Sequence, residues 1–353
     1  MKFIKYLFIV LILLGTLSYG LFQISGVQDF LAKKSIEQQF KQRNLFSEED
    51  ALSALVCGSR SPFPDPDRAE TCILVKAGQN LFVVDIGDGS MSNLQKWQVD
   101  LGKVDAVLLT HLHSDHIADL PGLNFASWLG GRSEKLKVFG PEGVEVLVEG
   151  FEKAYSEDTK FRVTHHGEGV LPLDTAGYEP IIVQPDKPII FEKDNLKITA
   201  FTVSHEPVEP ALGFRFDYKG RSILFSGDTM ADENVIQNAN GIDVLFHDAI
   251  ALELIHTIRD IASESGNDTL TKILDDIQTY HENTIRVADL ANEAEAGYLV
   301  YYHLIPSPRS SLAETLWTRG IDEVRSENWI LSKDGTLVTL PVGTDEIIFD
   351  TIE

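Results

Sequence analysis

The sequence predicts an α/β fold of layered sheets and helices in one large domain, preceded by an N-terminal hydrophobic helix. Three observations carry that prediction. The chain has 353 residues, 43% of them hydrophobic, enough for one sizeable core and short for two. From residue 51 onward, short apolar β-rich runs alternate with helical stretches, the order of a sandwich rather than a helix bundle. The opening of the chain is a different kind of sequence, basic and then almost unbroken apolar.

Lys2 and Lys5 precede an apolar run over residues 6–14 that continues in softer residues to Phe22. A basic start before such a run directs the remainder of the chain across a membrane, because Lys stays on the cytoplasmic side. Residues 1–22 are expected to be either a signal peptide cut near Ser18 or Gly20, or a signal-anchor helix that keeps residues 3–22 in the inner membrane. In both cases the body is expected to be exported, periplasmic or anchored facing outward. Residues 23–50 read as an amphipathic linker helix, with Val27, Phe30, Leu31, Ile36 and Phe40 near helical spacing. Residues 51–353 form the main domain.

Within that domain, the runs at 54–56, 72–75, 81–84 and 104–109 read as opening strands. A helix is predicted over 144–155, strands over 197–203, 212–216 and 222–225, helices over 270–280 and 284–296, and a strand over 299–302. Lys333-Asp334-Gly335 reads as the tight turn of a closing hairpin between Ile330 and Leu337. The two cysteines, Cys57 and Cys72, flank the Pro-rich loop Ser61-Pro62-Phe63-Pro64-Asp65-Pro66. Export permits a disulfide between them, and the alternative is a pair of buried thiols. Lys and Arg total 30 against 54 Asp and Glu, a net charge of -24. That excess opposes a surface built to hold nucleic acid or an anionic membrane face.

The strongest chemical signal is Thr110-His111-Leu112-His113-Ser114-Asp115-His116, directly after the apolar run 106–109. Imidazole nitrogen and carboxylate oxygen are the ligands zinc accepts, and a tight loop at a strand end can turn such side chains toward one point. Further ligand-type residues also end β-rich runs: Asp85 in Val84-Asp85-Ile86-Gly87-Asp88-Gly89, His205 in Thr202-Val203-Ser204-His205, Asp228 in Ser226-Gly227-Asp228-Thr229, and His303 after 299–302. Alone, His205 reads as a structural histidine. The joint pattern reads as a metal site.

These motifs resemble the metallo-β-lactamase superfamily, over the chain from about Leu52 to its C-terminus. The resemblance implies an αββα four-layer sandwich holding two zinc ions per chain. His111, His113 and His205 would hold the first, Asp115, His116 and His303 the second, and Asp228 would be shared, with Asp85 buttressing the loop. Two such ions lower the pKa of a shared water, whose hydroxide is the expected nucleophile. Asp115 and His281 are the residues expected to act in the chemistry.

A narrower resemblance, carried by His281-Glu282-Asn283-Thr284 with Ala288, Ala291 and Ala294, is to the branch that contains ribonuclease Z and arylsulfatases. It implies that His281 gives a proton to the leaving oxygen; the alternative is that it caps the helix beginning at Thr284. His247, in Leu245-Phe246-His247-Asp248, is implied to orient a ligand from behind. A ribonuclease of this branch grips folded tRNA through a long basic arm between the third His motif and the bridging Asp. Here Asp228 follows His205 at a sequence separation of only 23 (228 minus 205), and two strands consume the interval. The expected function is therefore zinc-dependent hydrolysis of a small-molecule ester, an aryl sulfate or phosphodiester, with nucleic acid not a partner. The alternatives are a tRNA 3′-processing endoribonuclease and a non-catalytic metal-binding module.

Overall fold

A computed structural model describes residues 4, 6, 7, 16, 19–39, 45, 46 and 49–353 of the chain. Its strands, in chain order, are β1 (Ala51–Gly58), β2 (Cys72–Ala77), β3 (Asn80–Ile86), β4 (Ala106–Leu108), β5 (Leu136–Gly140), β6 (Tyr178–Ile182), β7 (Ile189–Lys193), β8 (Leu196–Val203), β9 (Ala211–Tyr218), β10 (Arg221–Phe225), β11 (Val244–Ile250), β12 (Tyr298–Ile305), β13 (Trp329–Leu331), β14 (Thr336–Pro341) and β15 (Ile348–Thr351). Among the described residues they form an eight-stranded sheet, β15-β14-β1-β2-β3-β4-β5-β6, and a seven-stranded sheet, β13-β12-β11-β10-β9-β8-β7.

The layering follows from strand periodicity, because successive side chains point to opposite faces. Leu52, Ala54 and Val56 of β1 and Phe82 and Val84 of β3 share one core with Phe214, Phe216, Phe225, Phe246 and Val300 from the other sheet. Their neighbours Leu55, Cys57 and Val83 turn outward onto Leu94 and Trp97, Leu120, Leu123 and Val144 of the helical layer over the first sheet. On the far side, Leu224, Leu245 and Leu299 meet Val287, Leu290, Ala291, Trp317 and Ile321. The order is helix, sheet, sheet, helix. Strands buried on both faces explain why the sequence shows continuous apolar runs instead of alternation.

β3, β4, β5 and β6 run parallel, as do β10, β11, β12 and β13. β8 and β10 are each antiparallel to β9 and so point the same way. The C-terminal ends of β3, β4, β8, β10 and β12 are thus available for a site at one rim, the usual place in sheets of this kind.

Four sequence expectations meet the structure directly. A disulfide joins Cys57 and Cys72, with Cα atoms 4.9 Å apart, across the β1–β2 pairing in which Gly58 faces Cys72. The closing hairpin is corrected: β13 pairs with β12 in one sheet and β14 with β1 in the other. The tight turn exists, Thr336 N donating to Lys333 O at 2.9 Å, but it carries the chain between sheets. Asp334 there accepts from Ser59 N and Oγ, Ala69 N and Asn93 Nδ2.

The apolar N-terminal helix over 3–22 falls mostly outside the described residues, among which no helix is long and apolar enough to cross a membrane. The chain divides into two compact units, Met1–Arg43 and Asn44–Glu353. In the first, the linker region holds a helix, Ser25–Gln39. Its expected amphipathy is weak: Phe30, Leu31 and Ile36 are all exposed, and at roughly 100° per residue they fan around the axis instead of forming one stripe.

Candidate metal centre

Between β4 and the short helix Ser114–Ile117, the chain turns so that Thr110, His111, Asp115 and His116 are buried while His113 stays open. Asp85, at the end of β3, fixes that turn. Its Oδ1 accepts from Thr110 N at 2.8 Å, and its Oδ2 accepts from Thr110 Oγ1 and His116 Nδ1, each at 2.8 Å. His111 Nδ1 lies 3.1 Å from Thr110 Oγ1. His116 and His111 therefore keep their Nε2 atoms for the site. Gly87 completes the buttress, because a Cβ there would stand 2.1 Å from the Asp115 carbonyl oxygen. The glycine is a packing requirement of the loop.

The other sheet supplies the remaining groups. His205, just past β8, has Nδ1 3.0 Å from the Tyr280 carbonyl; a carbonyl only accepts, so Nδ1 carries the proton and Nε2 is the free atom. Asp228 follows β10 through Gly227, whose φ is +66° and where a Cβ would lie 2.6 Å from Leu212 O. His303 sits in β12 beside a register shift with β11 and has φ +45°. Asp85, with φ +54°, shares this sparsely populated conformation for an L-residue.

Three overlapping groups of donors result: His111, His113 and His205; Asp115, His116, Asp228 and His303; and Asp228, Asp248, His281 and His303. In the second, the Asp115 and Asp228 Oδ2 atoms stand 3.1 to 3.4 Å from the Nε2 atoms of His116 and His303. A tetrahedron with ligand bonds of about 2.0 Å has edges of roughly 3.3 Å. Asp228 Oδ2 is also 3.9 Å from His111 Nε2, so this carboxylate borders the first group as well. His116 Nε2, His205 Nε2 and Asp228 Oδ1 are buried without a hydrogen-bond partner. Buried polar groups rarely stay unpaired, and their convergence fits divalent cations.

Electrostatics agree with the donor chemistry. Burial works against ionised Asp115 and Asp228, yet the histidines around them outweigh it and hold both carboxyls well below the usual range. Burial, reinforced by the neighbouring His116, pushes His111 down and keeps it neutral. His116 and His303 are pulled the other way, because Asp228 and Asp115 overcome the cost of burying a charged ring. A cation and a proton compete for these nitrogens.

His281 stands beside this cluster. Its Nδ1 is 2.8 Å from Asp248 Oδ2, and its ring stacks on His303 at 5.5 Å between centroids. It does not cap the following helix: Asn283 does, its side chain accepting from Arg286 N. Asp248 is the residue that sequence reasoning passed over in favour of its neighbour. His247 is buried, with Nδ1 2.7 Å from its own neighbour's carbonyl, Asp248 O, and 3.2 Å from Asp248 Oδ1. Asp248 bonds both His247 and His281, and these bonds outweigh burial to hold its carboxyl low. His165 and His166 end the helix Ser156–His166, away from the donors.

Residues 73–304, which take in every donor from Asp85 to His303, match the family described as the beta-lactamase superfamily domain. The chain belongs to that superfamily. Among relatives, the protein named Ribonuclease Z of Mycobacterium bovis (strain BCG / Pasteur 1173P2) is 34% identical over 259 residues, 72% of this chain and 87% of the relative. The Ribonuclease Z of Mycobacterium tuberculosis (strain ATCC 25618 / H37Rv) is 32% identical over 256 residues, covering 72% and 86%. The superfamily fold also matches the metallo-beta-lactamase fold protein YhfI from Bacillus subtilis, with TM-score 0.59 and 22% identity over 82% of this chain and all of that one. Human tRNase Z, short form, matches with TM-score 0.57 and 20% identity, again over 82% and 100%.

These relatives correct the expected partner. The net charge of -24 and the short interval between His205 and Asp228 spoke against nucleic acid and for a small-molecule ester, but the curated relatives of this superfamily member carry the name of a ribonuclease. The physical reason is one of locality. Net charge sums the whole surface, whereas cations held by these donors would bring their own positive charge to the site itself. Sulfate-ester cleavage gains no support from any of them.

Proposed function

We propose that this superfamily member is a zinc-dependent phosphodiesterase that cleaves an RNA backbone, a ribonuclease Z-like endoribonuclease. The observation that carries this reading is the Asp248–His281 pair beside the donor cluster, 2.8 Å apart. A ribose oxygen is a poor leaving group, so breaking a phosphodiester calls for a proton at the departing oxygen, which aryl sulfates with acidic phenols need far less. The names of the relatives supply the nature of the backbone.

His111, His113 and His205 would hold one zinc, and Asp115, His116 and His303 the other, with Asp228 common to both. When bound, the ions would lower the pKa of a water and neutralise the phosphoryl oxygens. Asp85 keeps His116 oriented. Asp115, which lines the cavity beside His113, would besides serving as a ligand accept a proton from the attacking water. Asp248 holds the His281 ring so that Nε2 faces the substrate.

The test is cleavage of RNA with a single-stranded 3′ extension beyond a stem, by zinc-loaded protein. We expect one endonucleolytic cut near the stem. Zinc-loaded protein that leaves every such RNA intact would overturn the assignment.

We further propose that the folded body works outside the cytoplasm. The basic and apolar opening of the chain and the Cys57–Cys72 disulfide support this.

A further inference from the structure

The donor cluster forms the floor of a cavity of about 460 Å³. Its walls are unlike its floor. One wall is the Pro-rich loop with Phe63 at its centre; the other is Leu270, Ile273 and Ile277 from the end of a helical hairpin, Leu252–Glu264 and Asp268–Asp276, followed by Tyr280. No Lys or Arg is among the lining residues.

Phe63 is held in place from behind. Arg60, itself buried, sends Nη1 to the carbonyls of Ser61 and Phe63 and pairs with Glu70 at 2.9 Å, while Nε reaches Arg68 O. Ser61 Oγ donates to Leu304 O next to His303. The disulfide closes the feet of the same loop. Tyr280 is fixed by its carbonyl contact with His205. Phe63 and Tyr280, each with its backbone carbonyl hydrogen-bonded, thus both line the approach to the cluster together with aliphatic side chains, and the Tyr280 ring lies 4.9 Å from that of His281.

An apolar wall without cations cannot grip phosphates, which are bound by Lys, Arg and amide donors. It can take the flat face of a base, since every base stacks on aromatic side chains whatever its sequence. We propose that this cavity is a nucleobase subsite: one unpaired base adjoining the scissile phosphodiester inserts between Phe63 and Tyr280, against Leu270 and Ile273. The subsite rests on the RNA-cleaving reading above and names what that reading lacks, the feature of the RNA that is recognised. Single-stranded ends can present such a base; a stacked duplex cannot.

The test pairs two changes. RNAs carrying one abasic nucleotide immediately on either side of the cut are compared with intact RNA, on wild type and on Phe63→Ala. An abasic site at one of the two positions should raise KM by roughly tenfold or more on wild type, and by little on Phe63→Ala, because the partner is already gone. Phe63→Trp should restore the difference. Equal KM values for intact and abasic RNA on wild type would overturn the subsite. Binding is read separately, from quenching of 2-aminopurine placed at the same position in an RNA with a non-hydrolysable linkage at the cut. Quenching that is lost in Phe63→Ala, in a protein that cuts no RNA, would keep the subsite and sink the hydrolase. Absence of quenching at both positions would sink the subsite even if cleavage is robust. Ile273→Ser, at an exposed position, repeats the comparison with little risk to folding.

Discussion

In the proposed reaction His281 carries the chemistry that the donor cluster would not. Because Asp248 anchors its Nδ1 and Asn283 takes the helix cap, replacing the imidazole should leave both zinc sites intact. His281→Ala is expected to keep zinc content near wild type while kcat falls by about 10² to 10⁴. An RNA with bridging sulfur in the leaving position needs no proton on departure and should recover most of that loss. Zinc loss in the variant, or an equal deficit for oxygen and sulfur, would make the residue a ligand or a structural element instead. Most of this site was legible in the sequence, because the His111–His116 loop compresses four donor-type side chains into six residues and the others each follow an apolar run. Asp248 was not. Consecutive strand residues face opposite ways, and without the sheet in view nothing says whether His247 or Asp248 turns toward His281. Phe63 was equally hidden, since its role depends on the approach of a hairpin some two hundred residues away in the chain.

At the scale of elements, the β1–β2 connection combines a covalent tie with a buried ion pair. The disulfide closes a loop with a sequence separation of 15, for which chain entropy predicts about 3 kcal/mol of stabilisation. Cys72→Ser, or reduction of the wild type, should lower the unfolding free energy by that order, measured from denaturant unfolding with the slope fitted separately for each form, since the freed unfolded chain exposes more surface. A midpoint insensitive to reductant would mean that the loop is ordered equally well without it. Strands were read correctly here where an apolar run had no competitor. The β13–β14 turn shows the limit: Asp-Gly chemistry is local and did produce a turn, but pairing is decided by which edges are open, and β12 and β1 offered better ones. The extent of the helix Leu252–Glu264 was not legible, since Ile255 and Ala262 are the residues it buries.

For the whole molecule, the acidic surface bears on how the proposed RNA substrate would be held. β9 and β10 are joined by the two residues Lys219 and Gly220, which leaves no room for a basic arm there, and the net charge is -24. RNA affinity should then depend weakly on salt. Between 50 and 200 mM we expect KM to change by less than about tenfold, against roughly 10³ to 10⁵ for proteins that make many phosphate contacts. A steep slope would reveal a basic groove elsewhere on the body. Fractionation of the native protein, with thiol labelling after denaturation, checks its compartment: it should leave the cytosol and label only after reduction. Recovery from the cytosol with free Cys57 and Cys72 would overturn export. A different conflict lies in the backbone at Asp85 and His303, both held at positive φ. Each costs on the order of 1 kcal/mol or more that glycine would not incur. A directed-evolution campaign scored on heat tolerance alone is therefore rewarded for erasing a candidate metal donor, His303, and the carboxylate that buttresses the donor loop, Asp85, and only a screen that also demands turnover will keep them.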